Sequence, residues 1–138
     1  MKVLIDTNIV LDVLFRREPH YEQSFTFLQL CGQSVSGCVL ASQTTDIFYF
    51  LRRDGLSVRA AKASMQELAD NLKVLDIKSA DVQSALACDM PDYEDALLAY
   101  CGKRHRMAYI VTRNERDFGQ SPVPALSPAA FLEQFFAA

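Results

Sequence analysis

Short apolar runs alternate with stretches of helical spacing along this chain, and the alternation leaves few architectures open. Lys2–Ile5 is apolar without polar interruption, the pattern of a parallel strand covered on both faces. It ends at Asp6, after which Thr7 or Asn8 is placed to cap a helix carrying Ile9, Val10, Val13 and Leu14. Pro19 suits the start of a second helix with Phe25, Leu28 and Leu30, stopped by Gly32. Residues 34–40 read as a second strand. Ser42, Thr44 and Thr45 offer caps for a helix through Ile47, Phe48, Phe50 and Leu51, which ends near Asp54-Gly55. Ser57 opens a fourth helix with Val58, Ala61, Met65 and Leu68 on one face. Residues 72–77 form a third strand, and Ser79 starts a helix with Val82, Ala85 and Leu86. Pro91-Asp92 starts a sixth helix through Ala96, Leu97, Ala99 and Tyr100. Tyr109–Val111 is a fourth strand, 123–126 a fifth, and Ser127-Pro128 opens the last helix. The expected fold is α/β: a three-layer α/β/α sandwich with a central, mostly parallel sheet. One such domain fills residues 1–138.

Composition removes several other classes. At 138 residues, half of them apolar, the chain can bury a core without disulfides or a structural metal. No apolar run approaches the ~20 residues of a membrane-spanning helix, and MKVLIDTN is not a signal peptide, so a cytoplasmic protein is expected. The net charge of −3 gives no global case for nucleic-acid binding, so any such case needs a local basic patch. Cys31, Cys38, Cys88 and Cys101 form no CxxC pair and His20 and His105 lie far apart, which disfavours zinc. The cysteines read as small apolar residues.

Ligands of a parallel sheet bind beyond the carboxyl ends of its strands, so the polar residues expected there carry the functional signal. Asp6 ends the first strand. Thr112, Arg113 and Asn114 follow the fourth, with Asp117 in the same loop. Asp46 lies about one turn into the helix after the second strand, and Asp92 and Asp95 share the first turn of the sixth helix. Each has an ordinary structural reading: a turn residue for Asp6, a macrodipole partner for Asp46, an N-cap for Asp92, a loop acid for Asp117. Their convergence on one sheet edge is what calls for explanation. Clustered carboxylates raise one another's pKa unless a cation compensates, and an all-oxygen set suits Mg²⁺ or Mn²⁺.

The segments IDTNIVLD (5–12), QTTDIFYFLRR (43–53), DYEDALLAYCGKRH (92–105), IVTRNERDF (110–118) and VPALSPAAFLEQF (123–135) resemble a PIN domain in order and spacing. The resemblance implies a metal-dependent endoribonuclease, commonly the toxin of a VapC-like toxin–antitoxin pair. It assigns metal-holding, catalytic roles to Asp6, Asp46, Asp95 and Asp117. Asp46 departs from the usual Glu and is one methylene shorter. Thr7, Asn8, Thr112 and Asn114 match supporting polar positions, and Asp92 is an extra acid whose capping role suffices.

One or two Mg²⁺ or Mn²⁺ ions on these carboxylates would activate water and stabilise charge on a scissile phosphate. The basic residues Arg16-Arg17, Arg52-Arg53, Lys103-Arg104, and Arg113 with Arg116 are candidates for phosphate contacts. A receiver domain is disfavoured, because its pattern of an acidic pair, a middle-strand Asp and a late-strand Lys is not met by Val74-Leu75-Asp76-Ile77-Lys78 and Thr112-Arg113. A haloacid-dehalogenase-type phosphatase is disfavoured because Asn8 stands where its second Asp would be. A PIN-like module that binds RNA or protein without cutting remains the alternative. Apolar residues surround the second and third helices (Phe25, Phe27, Leu28, Leu30; Phe48, Tyr49, Phe50, Leu51), which leads to the expectation of a homodimer. The resemblance further implies a small antitoxin partner that sends a basic side chain to the acidic cleft.

Overall fold

Val3, Leu4 and Ile5 are wholly buried, as an uninterrupted apolar strand between two helical layers requires. The computed structural model of the chain describes residues 1–136. Its elements run β1 (Lys2–Ile5), α1 (Thr7–Leu14), α2 (Tyr21–Leu30), β2 (Ser36–Leu40), α3 (Ala41–Arg53), α4 (Val58–Asn71), β3 (Lys73–Leu75), α5 (Ser79–Ala87), α6 (Tyr93–Arg104), β4 (Tyr109–Val111), β5 (Ala125–Leu126) and α7 (Pro128–Phe136). The strands form one sheet in the order β3-β2-β1-β4-β5, and every neighbouring pair is parallel. The direction of winding reverses between β1 and β4, which opens a crevice beyond their carboxyl ends.

Alternation along the strands divides the core in two. Val3, Ile5, Val39 and Val111 face Ile9, Val10, Phe27, Ile47, Leu51, Ala61 and Phe131, from α1 to α4 and α7. Leu4, Cys38, Leu40 and Ile110 face Ala85 of α5 and Ala96, Leu98, Ala99 and Cys101 of α6. The result is the expected three layers. Phe27 and Phe131 meet edge-on at 5.2 Å, which joins α2 to α7 across the first of these cores. Among the described residues no helix is long and apolar enough to cross a membrane.

Several local expectations are corrected. Asp6, not Thr7 or Asn8, occupies the cap position of α1, and its side chain makes no capping bond. Pro19 lies in a turn, and α2 begins only at Tyr21. Phe27 and Ser24 form the buried face of α2, whereas Phe25 is exposed. The caps expected for α3 fail as well: the helix starts at Ala41, and Gln43 accepts from the Leu40 N–H at 2.6 Å. Ser57, Asp92 and Ser127 do cap their helices, accepting from the N–H groups of Ala60, Asp95 and Ala130.

Candidate functional site

Asp6 stands where β1 becomes α1, with extended backbone (φ −66, ψ 144). Its N–H donates to the Val111 carbonyl at 2.9 Å, fastening the end of β1 to the end of β4. The wholly buried Thr112 donates its hydroxyl to Asp6 Oδ2 at 2.8 Å and accepts the Asn114 N–H at 3.1 Å. One hydroxyl thus orients the carboxylate and shapes the loop beside it. Gln43 braces the other side: its Nε2 donates to the Ile5 carbonyl at 2.7 Å and to Thr7 Oγ1 at 3.1 Å. Thr7 is a joint between α1 and α3. Asn8 is half-buried in the first turn of α1 and does not line the cleft.

Asp92 Oδ1 accepts the Asp95 N–H at 2.9 Å and so starts α6. That start directs the first turn of α6 at the switch point. Asp6, Asp46, Glu94 and Asp95 line one cleft of about 30 Å³, together with Thr7, Ser42 and Gln43 and floored by Leu40, Leu97 and Leu98. Asp117 lies in a 3₁₀ turn at Glu115–Phe118, exposed and outside that lining. Its charge nevertheless acts on Asp95. Burial pushes the Asp95 carboxyl up to about 7, with Asp92, Asp6, Asp117 and Glu94 adding to the rise. Burial also raises Glu94, aided by Asp46, Asp6 and Asp92. Burial raises Asp6 too, against the hydrogen bonds from Thr112 and Thr7 and the charge of Arg113.

A set of mutually repelling carboxylate oxygens fits a hard divalent cation in donor chemistry. Among the described residues, no three such side chains already stand in metal-holding geometry. Glu94 was not anticipated from sequence, although its place between Tyr93 and Asp95 at a helix start was a usable signal. Gln43 and Asp12 were also missed. Asp12 is an acid inside the apolar run Ile9–Val13 of α1, and in the fold it is wholly buried with its Oδ2 3.0 Å from Arg113 Nε.

The basic candidates scatter. Arg104 gives Nε and Nη2 to Asp81 and Nη2 to Asp76, which ties α6 to α5, so it is committed to the fold and not free for a phosphate. Arg52 Nη1 donates to the Leu56 carbonyl. Arg16, Arg17 and Arg53 lie over the rings of Tyr21, Phe15 and Phe50. Arg113, by contrast, follows Thr112 directly, beside Asp6.

The comparisons with known proteins agree with this layout. No curated protein matches the sequence at a significant level. Among solved structures, the chain is similar to a toxin–antitoxin complex from Klebsiella pneumoniae (TM-score 0.71, 18% identity, 91% of this chain and 97% of that one). It is also similar to VapBC2 from Rickettsia felis bound to a promoter DNA fragment (0.67, 13%, 92% and 98%). A third likeness is VapC20 of Mycobacterium tuberculosis, described as a sarcin-ricin loop cleaving toxin (0.62, 12%, 78% and 86%). At these identities the structures speak for the fold alone. The sequence model of the PIN domain, however, matches residues 2–116, and the chain belongs to the PIN domain family.

Proposed function

We propose that this protein is a Mg²⁺- or Mn²⁺-dependent endoribonuclease and the toxin of a VapC-type pair. The observation that carries the reading is the convergence of Asp6, Asp46, Glu94 and Asp95 on one cleft at the sheet's switch point, with Asp117 within electrostatic reach. Asp6, Asp46, Asp95 and Asp117 would hold the cation, and Glu94 adds a longer carboxylate beside the short Asp46. The bound cation supplies an activated water and charge stabilisation at the phosphate. The chain's own part is orientation. Thr112 fixes Asp6, Gln43 ties β1 to α3, and Asp92 sets the first turn of α6. Unpaired RNA is the proposed substrate, because a splayed single strand can present one phosphate at the mouth of so small a cleft.

The toxin reading draws on the similar structures, of which one is described as a toxin–antitoxin complex from Klebsiella pneumoniae and another as a cleaving toxin of Mycobacterium tuberculosis. An antitoxin would place an Arg or Lys among these carboxylates, where charge-assisted hydrogen bonds favour it. A homodimer completes the proposed assembly. Incubation of the purified protein with RNA in Mg²⁺ or Mn²⁺ tests the activity. Cleavage is expected that disappears in excess EDTA and in Asp6→Asn or Asp95→Asn, with the fold intact by circular dichroism. Full activity in EDTA contradicts the reading. A non-catalytic RNA- or protein-binding module is the second reading, favoured by the short Asp46 and the lack of a ready three-ligand geometry. RNA binding without cleavage in either metal would establish it.

A further inference from the structure

We propose that Arg113 binds a backbone phosphate of the RNA, with buried Asp12 as the positioning residue that aims it. The inference rests on the ribonuclease reading above. Asp12 has no exposed surface, yet it occupies the apolar face of α1. Its Oδ2 lies 3.0 Å from Arg113 Nε and accepts a 3.3 Å hydrogen bond from Ser24, while its Oδ1 has no partner among the described residues. A buried ion pair with an unsatisfied oxygen is a poor way to stabilise a core, where apolar side chains of the same volume do as well or better. What it does achieve is geometric: it joins α1 and α2 to the loop that carries Thr112 and Asn114.

The guanidinium is used from one end only. Nε is buried 3.0 Å from Asp12 Oδ2 as a charge contact without a hydrogen bond, and no other ion pair of Arg113 exists among the described residues. The side chain as a whole is 26% exposed, so its exposure lies away from Nε. An arginine has five donors in a fixed fork, and the outer ones match phosphate oxygens. Arg113 stands next to Thr112, whose hydroxyl holds Asp6, and its positive charge reaches Asp6 itself. A cation whose charge reaches Asp6 offsets part of the repulsion between an acidic cleft and a polyanion. Arg104, Arg52, Arg16, Arg17 and Arg53 are occupied by carboxylates, a carbonyl or aromatic rings, whereas Arg116 is exposed in the 3₁₀ turn beside Asp117. Arg113 combines a partly buried side chain held against Asp12 with a charge that reaches Asp6.

A purely structural staple and a phosphate anchor differ in their salt dependence. Binding of a fluorescein-labelled single-stranded RNA dodecamer is followed by anisotropy over a salt series in Mg²⁺, with Asp95→Asn as the background that prevents turnover. Losing one phosphate contact makes the slope of log K against log[salt] shallower by about 0.7 for a single strand. Arg113→Gln is expected to show that change, together with weaker binding across RNA sequences, and Arg113→Lys to restore the slope at lower affinity. Because Arg113→Gln strands a buried carboxylate, the Asp12→Asn/Arg113→Gln double variant, which keeps a neutral polar pair, repeats the measurement. A wild-type slope in a folded Gln variant, or a Lys variant that fails to restore it, overturns the assignment and leaves the ribonuclease reading intact. A parent protein that neither binds nor cuts RNA overturns both.

Discussion

A half-buried carboxyl within reach of the charges of Asp6, Asp92, Glu94 and Asp117 destabilises the fold when it ionises, and Asp95 is in that position. Its folded value of about 7 lies above the ~4 of an unfolded Asp, so between those values the native state holds the extra proton. Stability should therefore fall as pH rises from 4 to 7, opposite to the salt-bridged carboxylate case. Thermal melts in EDTA should show Tm decreasing from pH 5 to pH 8, and Asp95→Asn raising Tm at pH 8 by about 3–5 °C. Equal melting of the two proteins at pH 8 would show that the carboxylates repel less than their arrangement implies. Saturating Mg²⁺ should reduce the difference, since a bound cation removes the repulsion that the substitution relieves. That Asp6, Asp46 and Asp95 share one sheet edge was legible in the sequence because strand ends and the first turns of helices are local features, whereas Asp117 lies outside the cleft lining. Gln43, Asp12 and Glu94 were not legible, because what defines them is a partner distant in sequence: the Ile5 carbonyl, the Arg113 guanidinium, the Asp46 and Asp6 charges.

The same division between local and distant causes runs through the elements. Gly37 in β2 has no room for a side chain: a Cβ there would meet Cys31 Sγ at 2.6 Å and Leu72 Cδ2 at 3.0 Å. Gly37→Ala should lose about 1–3 kcal/mol, read as a lower urea midpoint at unchanged m. The junction of α5 and α6 depends on Arg104 and Asp81, whose carboxylate is only 3% exposed. Arg104→Met strands that charge and should lower the urea midpoint at pH 7. Arg104 holds the Asp81 carboxyl down at about 2, below the unfolded value, so the pair's contribution is present above pH 4 and lost as pH falls towards 2. The gap between wild type and variant should close over that range, and a gap independent of pH would assign the loss to packing alone. The order of strands and helices was readable from spacing, and so were the starts at Ser57, Asp92 and Ser127, because a cap is a contact between near neighbours. The start of α2 and its buried face were not. Phe27 rather than Phe25 turns inward because α7 brings Phe131 against it, and α7 lies a hundred residues further along the chain.

For the molecule as a whole, alternation announces a layered α/β fold but leaves the strand order open, since crossovers to either edge of β1 satisfy the same pattern. The order matters, because it puts β4 beside β1 and so brings Thr112 and Arg113 to Asp6. Assembly poses the remaining question of this scale. Much of the apolar surplus on α2 and α3 goes into the chain's own core: Phe27, Ile47 and Leu51 are buried, and Phe48 and Phe50 pack against them. Tyr49 stays 60% exposed, and Phe25 is exposed and stacked on Tyr21 at 5.5 Å. Beside Phe25, Leu14, Leu28, Leu68 and Leu72 line a groove of about 240 Å³ between α2 and α4. Apolar side chains left on the outward faces of two helices suit a two-fold interface, in which one patch meets its own copy. Light scattering at tens of micromolar should then give twice the chain mass. The Phe25→Asp/Tyr49→Glu double variant should give the chain mass, with the Tm at high dilution unchanged because neither residue supports the monomer's core. A wild-type protein of single chain mass at that concentration would defeat the dimer, and a double variant that stays dimeric would move the interface to another face.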